Sequence, residues 1–326
     1  MRMRTVQARY SEQNLMQTVA SAVSVIRAFE PECDLHWLCA LWQETMPSRW
    51  ALLMKSLQNV LADARVLLVA ERHGIRVGFC AADHDEIGNA GLLVVLVEPS
   101  VQRSGVGSAL LEQLEAVLHS ARVVSLRLGA VSTGTYFWPG LPAENKSVWP
   151  FFQGHGWKQE ESCADLVQDL AFFSMPMWVR ERLTAARVTL RESAPHLRDK
   201  ILQFEQANFP AWTAFMANEL AGSGDKNLLV AQTESGEIVG SLLMKAGIPA
   251  LWKSDTGVTA GSLNLVGVSS DRQRQGIGLA LTARAMEVLR ERGCARCYIQ
   301  WTGLSEWYGK LGAAVWADYW MAQKAL

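Results

Sequence analysis

The sequence predicts a mixed α/β unit used twice, and three observations carry that prediction. The chain has 326 residues, which is about two typical domains of roughly 150 residues each. Hydrophobic residues make up 49% and charged residues 19%, enough apolar material for two cores and far from the composition of disordered or collagen-like chains. The third observation is an internal repeat. Residues 97–118 read VEPSVQRSGVGSALLEQLEAVL and residues 268–289 read VSSDRQRQGIGLALTARAMEVL, at a constant offset of 171. A repeat fixes the architecture before any single element is read.

In each half the expected order is strand, helical region, hairpin, strand, helix, strand, helix, strand. The second half shows it more plainly. Residues 188–191 begin a strand, Ser193 with Pro195 reads as an N-cap and helix start, and helical segments follow to about Ala221. LLVAQTESGEIVG at 228–240 is an apolar run, a polar Gly-containing turn and a second strand start, hence a β-hairpin, and LLVAERHGIRVG at 67–78 is its counterpart. Residues 263–268 form a strand that runs into a glycine turn. Ile277, Leu281, Ala285, Val288 and Leu289 then recur at helical spacing. A strand at 296–301, a short helix at 305–311 and a last strand at 314–321 complete the unit. Between the halves, FFSMPMWVRERLTAA reads as a connector with a short helix, which places the domains at 1–175 and 185–326. The first half departs from the repeat between Ala130 and Phe152, where it carries a longer connection that includes YFWPGLPAEN. That insertion reads either as a wall or lid of a site or as a packed surface loop.

Several functions are disfavoured at once. Lys plus Arg is 31 against 32 for Asp plus Glu, a net charge of -1, so no global field draws the chain to nucleic acid or to an anionic membrane. The longest nearly uncharged apolar run, 87–97, is about half of a bilayer span. Near the N-terminus, Glu12, Gln13, Gln17 and Thr18 interrupt any apolar core ahead of Ala20-Ser21-Ala22, so no signal peptide is expected. Six cysteines scattered through a core-rich chain fit a cytoplasmic protein with reduced thiols. The lone Cys294-x-x-Cys297 lacks the second pair of a zinc ribbon, and Cys33, His36 and Cys39 read as helix packing, so no metal is expected. No GxSxG context supports a hydrolase.

The glycine turn carries the chemistry. A strand ending at Val268, the polar loop DRQRQGIG and a helix that starts there bring free backbone N–H groups and a positive helix end around a hollow without β-carbons. Such a hollow suits phosphate. The third glycine of a dinucleotide fingerprint is missing, since Leu281 and Leu110 stand there, and no GxxxxGK[ST] occurs. What fits is [RQ]-x-x-G-x-[GA], present as Gln273-x-x-Gly276-x-Gly278 and again as Gln102-x-x-Gly105-x-Gly107. Here the sequence resembles the GNAT superfamily of acyl-CoA-dependent N-acyltransferases, over essentially the whole chain and as a tandem protein. The resemblance implies two domains, each a mixed, mostly antiparallel sheet flanked by helices.

It also implies acetyl-CoA as cosubstrate. Its pyrophosphate would lie on the N–H groups of Gln273, Arg274, Gln275, Gly276, Ile277 and Gly278, and its pantetheine arm beside Leu265 to Val268. In the first half the matching positions are Val97, Gln102, Arg103, Gly105 and Gly107. Tyr308, four residues before Gly312, matches the tyrosine that resembles the family's general acid toward the leaving thiolate, whereas the first half has Phe152 there. The expectation is a catalytic second half and a first half that is degenerate or only binds coenzyme A. The strand 262–268 offers Asn264 but no carboxylate as base. At pH 7 a Lys-like amine costs about 4.6 kcal/mol to deprotonate, an α-amino group only about 1 kcal/mol. A small-molecule amine such as an amino sugar or an α-amino group is therefore the expected acceptor. A non-catalytic coenzyme-A-binding module and a mycothiol-type thiol acetyltransferase are the alternatives.

Overall fold

The structure, a computed structural model, describes residues 25–50, 52–62, 64–130, 138–222, 224–246 and 259–326. The readings on residues 1–24, and on Tyr136 and Phe137 of the insertion, lie outside them. The described residues form two compact units. The first runs to Cys163 and also takes Tyr319–Leu326, and the second holds the described residues between Ala164 and Asp318.

In the first unit the order is β1 (Val25–Ala28), α1 (Pro31–Thr45), α2 (Met54–Leu61), β2 (Val66–Arg72), β3 (Ile75–His84), β4 (Asn89–Val97), α3 (Val106–Ser120), β5 (Ser125–Leu128), the two-residue β6 (Leu141–Pro142) and α4 (Trp149–Gly154). Strands β1 to β4 pair antiparallel in succession. Strand β5 joins β4 in parallel, but only from Asn89↔Ser125 to Leu92↔Leu128. Helix α3 buries Leu110, Leu111, Leu114 and Leu118 completely, a stripe of helical period that seats it on the sheet.

Strand β7 (Lys158–Asp169) crosses into the second unit, which continues with α5 (Met177–Ala185), β8 (Val188–Glu192), α6 (Arg198–Asn208), α7 (Pro210–Ala221), β9 (Leu228–Thr233), β10 (Ile238–Ala246), β11 (Ala260–Val268), α8 (Ile277–Glu291), β12 (Arg296–Thr302), α9 (Ser305–Gly309) and β13 (Ala314–Ala325). The pattern of the first unit recurs. Strands β8 to β11 pair antiparallel, and β12 joins β11 in parallel from Ala260↔Arg296 to Leu263↔Ile299. The connector expected between the halves carries α5, and the apolar positions read at 277–289 are buried in the core of the unit.

The boundaries differ from a linear split at 175–185. Residues 164–169 of β7 pair antiparallel with β12 of the second unit, and Gln323, Lys324 and Ala325 of β13 pair with β5 of the first. Each unit thus completes its sheet with a strand that the repeat assigns to the other half. Leu166 is fully buried in the second unit, Tyr319 and Ala322 in the first. Ladder hydrogen bonds are made by backbone groups that every residue carries, so the repeat shows that a strand belongs beside β5 and beside β12 but not which copy supplies it.

Candidate active site

The two glycine turns have nearly the same backbone. Gly105 and Gly276 sit at φ 93° and 91°, and Arg103 and Arg274 at 59° and 64°, a left-handed pattern that only glycine adopts without cost at the helix entrance. Gln102 Nε2 donates to Val97 O at 3.1 Å, and Gln273 Nε2 donates to Val268 O at 3.2 Å, so each glutamine fastens the turn to the end of its strand. Neither α3 nor α8 has a side-chain cap. The first-turn N–H groups of both helices therefore keep the character of an anion site.

The surroundings of the two turns differ. In the first unit a cavity of ≈ 760 Å³ joins the turn to the parting strands, within the size range of small-molecule sites. Past Leu92↔Leu128, β5 turns away at Gly129, whose N–H donates to Leu92 O at 2.9 Å, and the edge of β4 that it leaves, Leu93 to Val97, lines the cavity. Gln102, Arg103, Gly105, Gly107 and Ser108 line its end at the turn, and Phe151 and Phe152 of α4 its side. The insertion supplies another wall through Trp138, Gly140, Leu141, Pro142, Asn145, Ser147 and Val148, and Thr45 and Met46 lie at the end of α1. Trp138 is held firmly, stacked on Trp42 with centroids 5.8 Å apart and edge-on to Trp50 at 5.4 Å. Pairing of Leu141 and Pro142 with Trp320 and Tyr319 fastens the insertion to β13. Among the described lining residues there is no Asp, Glu, His, Lys, Cys or Tyr.

In the second unit side chains lie against the equivalent surfaces. Cβ, Cγ and Cδ of Arg182 on α5 lie 2.9–3.6 Å from where a β-carbon of Gly276 would stand, and the Phe209 ring is 2.4 Å from the equivalent point at Gly267. Phe209 stacks in turn on Trp212, 4.5 Å away. Leu265 takes φ +51° in mid-strand, a rare conformation for a leucine, beside the register shift between β10 and β11. Its side chain packs with the α6–α7 core, while Val268 packs with the core beneath α8. Gln275 Nε2 donates to Asp271 O at 3.3 Å. Tyr308, on α9, is 7% exposed and edge-on to Trp307 at 4.7 Å, and burial, with Cys297 nearby, pushes its phenol up to about 12. It is a phenol that stays protonated, set within a core. Trp307 covers Gly278 as Phe151 covers Gly107, with ring atoms 3.1 and 3.2 Å from the would-be β-carbons.

Sequence reasoning missed Ser108, Thr45 and Ser147 as cavity residues, whereas Asn145 lies in the insertion read either as a wall or as a packed surface loop. Only Ser108 left a signal, as a serine at a repeat position where the second half has Leu279. None of the six cysteines is in a disulfide, and among the described residues no His, Cys, Asp and Glu group could hold a metal. Among the described residues no helix is long and apolar enough to cross a membrane.

Comparison with known proteins agrees with this geometry. A model described as the acetyltransferase (GNAT) domain matches residues 63–159, and one described as the acetyltransferase (GNAT) family matches residues 194–312. No curated protein matches the sequence. Among solved structures, the chain resembles a GCN5-related glucosamine N-acetyltransferase region of a fungal multi-domain GH3 β-N-acetylglucosaminidase, with TM-score 0.83 and 24% identity over 92% of this chain. The chain spans 38% of the length of that protein. It also resembles a GCN5-related N-acetyltransferase from Sphaerobacter thermophilus, with TM-score 0.68 and 16% identity over 92% of this chain and 95% of that one. A tandem GNAT protein from the clavulanic acid biosynthesis pathway matches with TM-score 0.61 and 14% identity over 92% and 98%. The chain belongs to the GNAT superfamily as a tandem protein with two GNAT domains, and is an acyltransferase of the acyl-CoA-dependent N-acetyltransferase type.

Proposed function

We propose that the protein moves the acetyl group of acetyl-CoA to the amine of a small molecule, an amino sugar in particular, with the coenzyme held in the first unit. The observation that carries this reading is the cavity that runs from the uncapped first turn of α3 to the parted edge of β4. The diphosphate fits the N–H groups around Gly105 and Gly107, and the extended arm fits the strand edge at Leu93 to Val97, where β5 no longer competes for the backbone. The wall of Trp138, Asn145 and Ser147 is left for the acceptor, one aromatic face and two polar side chains that suit a hydroxylated ring.

The chemistry is attack of a neutral amine on the thioester carbon, with loss of a thiolate. The described lining residues provide neither a carboxylate base nor a phenol acid, so the amine must lose its proton cheaply. An amine with a pKa near 7.8 does so for about 1 kcal/mol at pH 7. After attack its second proton is available to the departing sulfur. The likeness to the glucosamine N-acetyltransferase region is consistent with such an acceptor.

A second reading puts turnover in the second half, and the observation that favours it is Tyr308, a protonated phenol where the first half has Phe152. Calorimetric titration with acetyl-CoA separates the two. Gly107→Asp and Gly278→Asp form a matched pair, each placing a carboxylate in the first turn of a helix against an aromatic ring at a similar distance. On the first-unit reading Gly107→Asp weakens binding by on the order of 100-fold through charge repulsion at the helix end, and Gly278→Asp leaves it intact. The reverse pattern would overturn this placement.

A further inference from the structure

At the edge of the first unit's cavity is a side-chain pair that the second unit lacks, one member lining the cavity and the other behind it. Ser108, in the first turn of α3, lines the cavity, and its Oγ lies 3.1 Å from His155 Nε2. The other ring nitrogen, Nδ1, lies 2.8 Å from Phe151 O, and the imidazole packs on the Phe151 ring at 4.5 Å. A carbonyl oxygen can only accept, so Nδ1 carries a proton. In the neutral ring Nε2 is then bare, and Ser108 donates its hydroxyl hydrogen to it. The lone pairs of Oγ are what remain for a ligand, beside a helix end that attracts anions. In the cationic ring the pair reverses, with Nε2–H donating to Oγ and the hydroxyl hydrogen released toward an anionic oxygen.

We propose that His155, acting through Ser108, couples proton uptake to binding of the coenzyme's diphosphate in the first unit; this rests on the reading that the coenzyme is held there. Anion and imidazolium favour one another, because the anion stabilises the added charge and the imidazolium frees the hydroxyl donor. Charged groups on the neighbouring elements are Arg103 of the glycine turn, Lys324 of β13, and Glu112 and Glu115 of α3. Lys324 Nζ donates to His155 O at 2.9 Å and to Glu115 at 2.7 Å, so Glu115 already has a cation. Lys158 follows three residues after His155 on β7. The second unit has Leu279 and Leu311 at the matching positions, both buried, so coupling of this kind belongs to the first unit. His155 is a positioning residue that reaches the ligand through Ser108.

Histidine is the side chain whose ordinary charge change falls between pH 5 and 8, which sets the interval to examine. The test is calorimetric titration of the full chain with coenzyme A at pH 6, 7 and 8, each in two buffers of different ionisation enthalpy, so that protons taken up on binding are counted. His155→Gln keeps a nitrogen donor toward Ser108 at every pH, and Ser108→Ala removes the hydroxyl while leaving the imidazole. The native chain is expected to take up protons that neither variant takes up. Its affinity should fall between pH 6 and 8 by on the order of tenfold more than that of His155→Gln. Subtraction removes the ionisation of the coenzyme's own phosphate monoester near pH 6. Pantetheine, which lacks the diphosphate, should bind without the extra protons. Equal proton counts in native and both variants, or the same uptake with pantetheine, would overturn the coupling while Gly107→Asp still weakens binding. Binding that survives Gly107→Asp with its proton count unchanged would remove the first-unit site, and the coupling with it.

Discussion

The two glycine turns share their backbone angles to within a few degrees and their glutamine tether to 0.1 Å, yet one opens on a cavity and the other has Arg182 and Phe209 lying against its surroundings. The difference teaches that the repeated motif specifies how strand enters helix, and that residues outside the motif specify what the junction can receive. In the first unit those residues come from the insertion, which walls a cavity with Trp138 to Val148. In the second they come from α5 and the α6–α7 junction. The phenol is distributed the other way, with Tyr308 in the second half and Phe152 in the first, so the two halves divide the features that a complete site would unite.

The comparison breaks most completely if the halves are separated. A fragment of residues 1–175 lacks the strand that pairs with β5, and a fragment of residues 185–326 lacks the strand that pairs with β12. Each loses fully buried side chains, Tyr319 in one case and Leu166 in the other, and exposes an unpaired strand edge. Neither fragment is expected to show a cooperative thermal transition or to resist aggregation, whereas co-expressed fragments should associate and recover both properties. Two fragments that each melt cooperatively near the temperature of the whole chain would show that the exchanged strands are dispensable.

Next in size is the effect that decides which half turns over. With chemistry in the first unit, Tyr308→Phe leaves kcat within about twofold, since the phenol then only packs beside Trp307. A loss of 10²- to 10⁴-fold in kcat at unchanged coenzyme affinity, the range for a lost general acid, would transfer the chemistry to the second half. A steady-state assay with titration of the same preparation reads both quantities.

Much of this was legible in the sequence. The repeat offset, the helical spacing of Ile277 to Leu289 and the Gln-x-x-Gly-x-Gly spacing are local signals, and local geometry obeyed them. What remained hidden was decided by groups distant in sequence. The strand exchange leaves no trace because ladder bonds do not depend on side chains. The cover on the second turn depends on where α5 lies, and Arg182 carries no mark that would foretell it. Ser108 and His155 are far apart in sequence, and neither fits a motif by itself. Their juxtaposition follows from α4 lying against α3, although the leucines at the matching positions of the second half were a readable contrast.

The smallest expected effects concern two buried carboxyl groups that the halves treat in opposite ways. In the first unit Asp34 is fully buried. It accepts from Arg27 at 2.7 and 2.9 Å, from Arg76 at 2.7 Å and from Glu30 N at 2.8 Å. The Arg27 guanidinium holds its carboxyl at about 2. A lowered folded pKa contributes stability at pH values above the ordinary carboxylate range and loses it as pH falls toward 2. Asp34→Asn should therefore cost roughly 2–4 kcal/mol at pH 7, by taking the buried anion from Arg76 and leaving Arg27 with Glu71 alone, and the difference from native should shrink between pH 4 and pH 2. In the second unit Glu205 is equally buried, but among the described residues only Ser241 Oγ donates to it, at 2.5 Å, and its Oε2 has no partner among them. Burial pushes this carboxyl up. A raised folded pKa in an acid makes stability fall as pH rises above the ordinary Glu value, because the unfolded chain then ionises where the folded one resists. Glu205→Gln should stabilise by on the order of 1 kcal/mol at pH 8, with little effect at pH 4. Urea denaturation of both variants across pH 2.5–8 should give differences of opposite sign at pH 8. A destabilised Glu205→Gln at that pH would mean that the carboxylate is ionised in place, and that the second half tolerates a buried charge without a cation.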